Sequence, residues 1–160
     1  MLRPGQEWNM QVCIWILLRW LMWMLILGIR LLIPVLLVVI LGMWYQVPNF
    51  PGREKNYLET SGSSIMAYCL MKGARLGFLP AEYSTYGQKA FKGICDTYLS
   101  TVEGEMSLGG ICLVAGLGPD SNPRRDGTYE YYMSEPVVKD DAKGTAPFLL
   151  AYAEMCRLEA

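Results

Sequence analysis

The segment RRDGTYEYYMSEPVVKDDAKG, residues 124–144, combines tyrosines, arginines and acids between turn-forming residues. A sugar presents hydroxyl edges and apolar faces, so a protein that holds one needs aromatic rings, planar guanidinium groups and carboxylate acceptors close together. The segment therefore predicts a carbohydrate-binding surface. The groups that would form it are Arg125, Asp126, Tyr129, Tyr131 and Tyr132.

The sequence contains no histidine, which removes the usual zinc ligand and the usual general base at neutral pH. The five cysteines show no CxxC spacing, so neither a zinc site nor a dithiol redox site is expected, and no cofactor is predicted. Four cysteines of the C-terminal part lie within apolar runs, where reduced core thiols are the favoured interpretation and disulfides the alternative. These four are Cys69, Cys95, Cys112 and Cys156.

Composition divides the chain near residue 47. Residues 1–47 carry three Lys or Arg and one acid, whereas residues 48–160 carry eleven Lys or Arg and fourteen Asp or Glu. Neither part has the clustered basic residues that a phosphate backbone requires, so nucleic acid is not expected as a partner. The chain therefore divides into a hydrophobic segment and a second, ordinary domain.

The hydrophobic segment contains an apolar run at 20–44, interrupted by Arg30 and Pro34. About 20 apolar residues cross a bilayer, so this run predicts a single transmembrane helix. Arg3, Arg19 and Arg30 lie on the N-terminal side of the run, which predicts a cytoplasmic N-terminus. A signal peptide fits less well, since no small-residue cleavage site follows. Acid-free sequence of this kind also arises from reading a coding region in the wrong frame, so a frameshift or truncation is the alternative interpretation.

The second domain is predicted to consist of helices joined by turns. Pro and Gly make a connector at 48–52, and an apolar run predicts a helix at 65–73. Apolar residues spaced by three and four over 90–102 predict an amphipathic helix, whose N-terminus is expected near Pro80 and Glu82. The run EMSLGGICLVAGLG predicts a short strand or an extended loop, and a last helix is expected over 147–156. Three helices bury little surface, so another element is expected to cover their apolar faces.

The sequence resembles the C-terminal third of glycoside hydrolase family 105 and its relative family 88, the unsaturated rhamnogalacturonyl and glucuronyl hydrolases. The resemblance begins at about Gly42 and depends on the order of GMWYQVPNFPGREKNYLETSGSSIMAYCLMKG, AFKGI, CLVAGLG and RRDGTYEYYMSEPVVKDDAKG followed by PF. It implies an all-α fold, a partial (α/α)6 barrel of helical hairpins, here preceded by one long hydrophobic helix. It also implies a cytoplasmic glycosidase that acts on unsaturated oligosaccharides from pectin, in which an aspartic acid protonates the C4–C5 double bond.

Eight residues are candidates for holding the sugar at the barrel mouth. They are Trp44, Glu59, Ser61, Arg125, Asp126, Tyr129, Tyr131 and Tyr132. Glu59 and Ser61 stand at the start of an inner-type helix, where capping explains them equally well. Some of the tyrosines must pack inward, and core packing is the safer interpretation for Trp44. The charged residues that follow fit a solvated loop better than a binding site: Glu135, Asp140, Asp141 and Lys143.

The family's catalytic aspartate lies in an earlier segment resembling MDGLYM, for which this chain has no equivalent. No catalytic residue is therefore assigned, and the chain is expected to be an incomplete hydrolase, inactive alone. Two other functions stay open: a single-pass membrane protein that binds carbohydrate without turnover, and a piece that completes a barrel with a second polypeptide. The expected partners are a pectin-derived unsaturated oligosaccharide, the membrane through residues 20–44, and a complementary N-terminal barrel half.

Overall fold

The computed structural model describes residues 42–159, which are mainly helical. The helices are α1, Thr60–Arg75; α2, Tyr83–Tyr98; α3, Tyr129–Ser134; and α4, Ala142–Glu159. The strands are β1, Leu99–Val102; β2, Glu105–Leu108; β3, Ile111–Cys112; and β4, Val137–Val138. β1 pairs with β2 and β3 pairs with β4, both antiparallel. The expected order of helix, helix, structured connection and helix is confirmed.

Helix α1 begins at a carboxylate cap and ends beside a glycine. The backbone of Glu59 is extended, and its carboxylate accepts a hydrogen bond from the N–H of Gly62 at 2.6 Å. Gly77, with φ of 75°, provides the left-handed residue that terminates the helix. The predicted end at Gly73 was therefore wrong, because Gly73 lies inside a helix that continues to Arg75.

Helices α1 and α2 pack as a helical hairpin. Gly87 permits their close approach, because a Cβ atom there would lie 2.6 Å from Cγ of Met71 and 2.8 Å from the carbonyl oxygen of Ala67. The buried face of α2 is the apolar stripe expected from the sequence. It contains Ala90, Phe91 and Ile94.

The second predicted helix was too long at its C-terminal end. Helix α2 stops at Tyr98, and the chain continues into the hairpin of β1 and β2. Glu103 and Gly104 form the two-residue turn, with φ of 54° and 85°. Such a pair of left-handed residues is typical of a type I′ turn, which favours a hairpin over a helix. Val102 continues the apolar spacing of α2 but belongs to the strand.

Helix α4 begins at Ala142, before the predicted start at Pro147. Asp141 precedes it, and Oδ1 of Asp141 accepts the backbone N–H of Lys143 at 2.9 Å. Pro147 lies inside the helix, where it has no N–H to donate to the carbonyl of Lys143. The proline removes one helical bond without ending the helix, so it was the wrong start signal.

Helices α1 and α4 are parallel neighbours. The N–H of Thr60 in α1 donates at 2.9 Å to the carbonyl that precedes β3, and Gly144 in α4 packs against Ile111 of β3. Further along, Nε of Arg75 in α1 lies 2.7 Å from Oε2 of Glu154 in α4. Both helices therefore point their N-terminal ends toward the β3–β4 pair.

The hydrophobic core lies between α1, α2 and α4. Met43 and Trp44, which the sequence assigns to the N-terminal hydrophobic segment, belong to this core with 0% and 5% exposure. The other core members are Ala67, Leu70, Met71, Ala90, Phe91, Ile94, Leu108, Ile111, Phe148 and Ala151.

Within residues 42–159, no helix combines the length and the apolar character needed to cross a membrane. The predicted span at 20–44 lies outside the described residues except for its last three. That span and the membrane location that it implies stay predictions.

Candidate functional site

A cavity of about 320 Å³ opens where α1 and α4 begin. The parallel arrangement of these helices places Ser61, in the first turn of α1, near Lys143, in the first turn of α4. Tyr132 of α3 also lines the cavity. Among residues 42–159, its lining consists of Gln46, Ser61, Cys112, Val114, Ala115, Tyr132 and Lys143.

Glu59 positions the cavity wall from behind. Its side chain is buried, and Oε1 accepts hydrogen bonds from the hydroxyl of Ser61 at 2.8 Å and from the backbone N–H of Cys112 at 3.0 Å. Oε2 caps α1 through Gly62. A carboxylate with these three internal donors fixes the positions of its neighbours. The capping interpretation of Glu59 thus matches the geometry.

Lys143 lies beside the cavity and was not expected there. Its Nζ is 2.9 Å from Oδ1 of Asp141, the same oxygen that accepts its backbone N–H. Both bonds hold the pKa of the Asp141 carboxyl below its ordinary value, and the backbone bond has the larger effect. The Lys143 side chain is 54% exposed, so its ammonium has donors left for a ligand. The sequence assigned it to a solvated loop because its position in a helix was not recognised.

Tyr132 contributes the only aromatic ring that the described part of the chain brings to this lining. Its ring meets that of Tyr131 edge to face, with centroids 5.3 Å apart. Tyr131 is buried, and its hydroxyl accepts a hydrogen bond from Nε of Arg125 at 3.1 Å. Tyr131 and Arg125 therefore support the ring of Tyr132 from the protein side.

Helix α3 was not predicted, because the sequence YEYYMS lacks helical apolar spacing. Thr128 is its N-cap and accepts the N–H of Tyr131 at 3.2 Å. Asp126 in turn accepts the N–H of Thr128 at 2.9 Å and its hydroxyl at 2.8 Å. Both bonds hold the pKa of Asp126 below its ordinary value. The threonine cap was the sequence signal for this helix.

Tyr129 and Trp44 lie away from the cavity. The hydroxyl of Tyr129 donates to the carbonyl of Glu54 at 2.7 Å, and its ring lies 3.8 Å from the guanidinium of Arg53. Trp44 is a core residue whose backbone N–H donates to Ser63 at 3.0 Å. Of the eight predicted residues, the cavity lining contains Ser61 and Tyr132. Contact of any of the eight with a ligand stays a prediction.

Cys112 forms part of the cavity wall. Burial raises the pKa of its thiol, and a hydrogen bond with Tyr57 opposes this shift. Burial thus disfavours the thiolate, the form of cysteine that reacts as a nucleophile. All four cysteines of the described part are free thiols, but Cys69 and Cys156 are exposed, so the core interpretation was wrong for these two.

No carboxylate lines the cavity within the described residues. Glu59 lies behind the wall, and Glu135, also buried, is 3.2 Å from Nη2 of Arg124. Between Gly42 and Glu159, the structure brings no three Cys, Asp or Glu side chains together in a group that could hold a metal ion. The arrangement is suited to binding polar ligands through neutral and cationic donors.

Helices α1 and α2 form a helical hairpin and α4 lies parallel to α1, which is the arrangement expected in part of a barrel of helical hairpins. Residues 40–159 match the family model described as Glycosyl Hydrolase Family 88, and the chain belongs to that family. The resemblance drawn from the sequence is thereby confirmed.

The similar solved structures extend this assignment to family 105. The chain superposes on a family 105 glycoside hydrolase from C. acetobutylicum with a TM-score of 0.67 and 41% identity, covering 75% of this chain and 34% of that one. A possible family 105 member from Salmonella enterica gives a TM-score of 0.60 and 25% identity, covering 76% of this chain and 28% of that one. The expected fold, a partial (α/α)6 barrel, is confirmed.

A curated relative is shorter than these enzymes. The 24.9 kDa protein in the picA locus of Rhizobium radiobacter is 46% identical over 118 residues, which are 71% of this chain and 51% of that protein. The chain therefore spans about half the length of the curated relatives it matches, and about a third or less of the solved structures.

Proposed function

We propose that this chain forms part of the sugar-binding mouth of a Family 88 glycosidase barrel, and that its ligand is an unsaturated uronyl oligosaccharide derived from pectin. The cavity at the N-termini of α1 and α4 carries this proposal, because it gathers Ser61, Tyr132 and Lys143 from three separate segments. The family membership supports a carbohydrate as the ligand.

The cavity lining matches the two kinds of surface that a sugar presents. Ser61, Gln46 and Lys143 offer a hydroxyl, an amide and an ammonium to sugar hydroxyls or to a uronate carboxylate. The ring of Tyr132, with Val114 beside it, offers an apolar surface for the face of a sugar ring. Both kinds of group are needed for orientation.

We further propose that the chain does not complete the reaction alone. Protonation of a double bond requires an acid within hydrogen-bond reach of the reacting atom. No carboxyl group of residues 42–159 lines the cavity, and Glu59 and Glu135 are engaged behind it. The proton donor is therefore expected on another part of the barrel.

The remaining barrel helices are the proposed partner. Exposed apolar side chains on α1 and α4 support this, since Ile65 is 50%, Leu149 is 58% and Leu150 is 50% exposed. Helices with apolar residues on their outer faces are stabilised when another helix covers them. The solved family 105 structures are about three times longer than the part this chain covers, which leaves room in such a barrel for further helices.

Titration calorimetry with the full chain and the unsaturated rhamnogalacturonan disaccharide tests the binding site. Replacing Tyr132 or Lys143 with alanine is expected to weaken binding by about tenfold, equivalent to about 1.4 kcal/mol. Lys139→Ala is the matched control, because Lys139 is exposed nearby but does not line the cavity. Unchanged affinity in both cavity variants, or no binding by the unchanged chain, would exclude this site.

Loss of the ultraviolet absorbance of the sugar's double bond measures turnover. We expect none with the chain alone, and we expect activity after mixing with the N-terminal two thirds of the C. acetobutylicum enzyme. Turnover by the chain alone would contradict the proposed lack of an acid. Failure to associate with the N-terminal part in sedimentation would contradict the proposed partner.

A further inference from the structure

The segment between β3 and α3 leaves the cavity on one side and returns to it on the other. Val114 and Ala115 follow β3 and line the cavity, and Tyr132 of α3 lines it again. Residues 117–125, called the rim loop, lie between these lining residues in the chain and are mostly exposed. The rim loop is therefore attached to the cavity wall at both of its ends.

Hydrogen bonds within the rim loop make it a unit. The N–H of Gly118 donates to the carbonyl of Arg125 at 2.9 Å, which joins the two ends of the loop. The N–H of Asn122 donates to the carbonyl of Pro119 at 2.8 Å, and the N–H of Arg125 donates to the carbonyl of Asn122 at 3.1 Å. A surface loop whose ends meet in this way is compact, so it moves as one body.

The rim loop has a pivot at each end. Gly116 has φ of 145°, and a Cβ atom there would meet no other atom within 4 Å, so the backbone has room to rotate. At the other end, the carboxylate of Asp126 accepts the N–H and the hydroxyl of Thr128, which fixes Asp126 to the start of α3. Rotation just before Asp126 leaves these two bonds intact. The loop can therefore swing without disturbing β3 or α3.

Two arginine side chains tether the rim loop to α3 and its C-cap, and both lie next to the second pivot. Nε of Arg125 donates to the hydroxyl of Tyr131 at 3.1 Å, and Nη2 of Arg124 lies 3.2 Å from Oε1 of Glu135. The displacement of a swinging segment is smallest beside its pivot. These bonds can therefore persist while the part of the loop that contains Leu117 moves.

Leu117 is an exposed apolar side chain at the moving end of the rim loop. It is 77% exposed, and Val114 in the cavity lining is 47% exposed. Removing such side chains from water is favourable. A sugar ring in the cavity offers an apolar face against which both can pack.

We propose that the rim loop is a lid, which swings inward when a sugar occupies the cavity and packs Leu117 against the sugar and Val114. Closure of this kind limits the access of solvent and retains the ligand. The inference rests on the proposed function of the cavity and adds a conformational step to it.

Trypsin digestion tests the lid, because trypsin cleaves after Arg124 and Arg125 within the rim loop. The full chain is digested with and without the unsaturated rhamnogalacturonan disaccharide, at a concentration that calorimetry shows to be saturating. Closure is expected to slow cleavage after these two arginines by about tenfold, since a protease cuts the open form of a loop. Cleavage after Lys55, which is exposed in the segment before α1, is the internal control and should keep its rate.

Leu117→Ser distinguishes closure from simple shielding by the bound sugar. The side chain is exposed, so the ligand-free chain should keep its stability. At saturating disaccharide this variant is expected to lose the protection, because its loop has no apolar side chain to pack, and Leu117→Met should retain it. Met106→Ser is the matched control, since Met106 on β2 is 75% exposed and lies outside the loop. It should be protected like the unchanged chain.

Equal cleavage of the unchanged chain with and without bound disaccharide would overturn the lid and leave the proposed function standing. Full protection of Leu117→Ser would do the same, because the sugar alone would then shield the loop. Failure of the unchanged chain to bind the disaccharide would overturn the proposed function together with the lid.

Discussion

Arg75 binds Glu154 through two hydrogen bonds, from Nε at 2.7 Å and from Nη2 at 3.0 Å. Glu154 is 1% exposed and also accepts a bond from Arg157 at 2.8 Å. The pair joins α1 to α4 at the end of these helices that lies away from the cavity. The parallel alignment of the two helices, and with it the spacing of Ser61 and Lys143, depends on contacts of this kind.

Replacement of Glu154 by glutamine is expected to lower the free energy of unfolding by about 1–3 kcal/mol, since two guanidinium groups lose a charged acceptor. Arg75 holds the pKa of Glu154 below its ordinary 4.5. A carboxyl with a lowered folded pKa stabilises the fold above its unfolded pKa, and this stabilisation is lost as the pH falls through the folded pKa. Urea unfolding at several pH values measures the difference in the free energy of unfolding between the variant and the unchanged chain. This difference should be largest at neutral pH and shrink below about pH 4.5.

The control for that prediction is Asp96→Asn, which removes the exposed pair with Lys92. Exposed pairs contribute about 0–1 kcal/mol, so little change is expected. If Glu154→Gln and the unchanged chain differed in the free energy of unfolding by the same amount down to low pH, the role given to the Arg75–Glu154 pair would be contradicted.

Replacement of Glu59 by alanine is expected to destabilise the fold by about 2–4 kcal/mol, because it removes an N-cap and leaves the buried N–H of Cys112 without its acceptor. Glu59→Gln keeps one acceptor oxygen and should cost less. Thermal unfolding measures both variants. If Glu59 served only to contact the ligand, the two variants would lose sugar affinity without losing stability.

Gly87→Ala is expected to destabilise the α1–α2 hairpin by about 1–3 kcal/mol, since the new methyl would lie 2.8 Å from the carbonyl oxygen of Ala67. Gly73→Ala is the control, because its methyl would meet only the flexible end of Leu79, at 2.9 Å from Cδ1. In that variant the higher helix propensity of alanine offsets the crowding. Chemical unfolding should separate the two, and equal stability of both would argue against tight packing at Gly87.

Arg125→Ala and Tyr131→Phe are expected to have overlapping effects, because they remove opposite ends of one hydrogen bond of 3.1 Å. A double-mutant cycle on unfolding free energy should give a coupling of about 0.5–1.5 kcal/mol. The sequence indicated instead that Arg125 binds a uronate directly, and this interpretation predicts a different outcome. In that case Arg125→Ala would weaken sugar binding by about 1–3 kcal/mol while Tyr131→Phe would not.

The thiols should react in an order set by exposure. Cys69 and Cys156 are exposed, whereas Cys112 is buried and its pKa is raised by burial. Because the thiolate is the reactive species, iodoacetamide at neutral pH is expected to label the exposed pair first. Mass mapping of peptides identifies the labelled sites. Equally rapid labelling of Cys112 would show that the cavity wall opens in solution.

The helical part of the fold was largely predictable, because apolar spacing reports which face of a helix is buried. The stripe of Ala90, Phe91 and Ile94 is the clearest example. Helix ends were less predictable, since they depend on single residues such as Gly77 and on the turn at Glu103. Helix α3 escaped prediction because its stability comes from the Thr128 cap and the packing of Tyr131, which leave no repeating pattern.

The sequence by itself determined the family, the helical class and the presence of rings and charges near the last two helices, because these follow from local order and residue type. The tertiary structure decided which of those groups meet. Ser61 and Lys143 are far apart in sequence and come together only because α1 and α4 lie parallel with both N-termini beside β3. The tertiary structure also places Glu59, Asp126 and Tyr131 in internal hydrogen bonds, because a polar side chain bonds to whichever partner folding brings beside it.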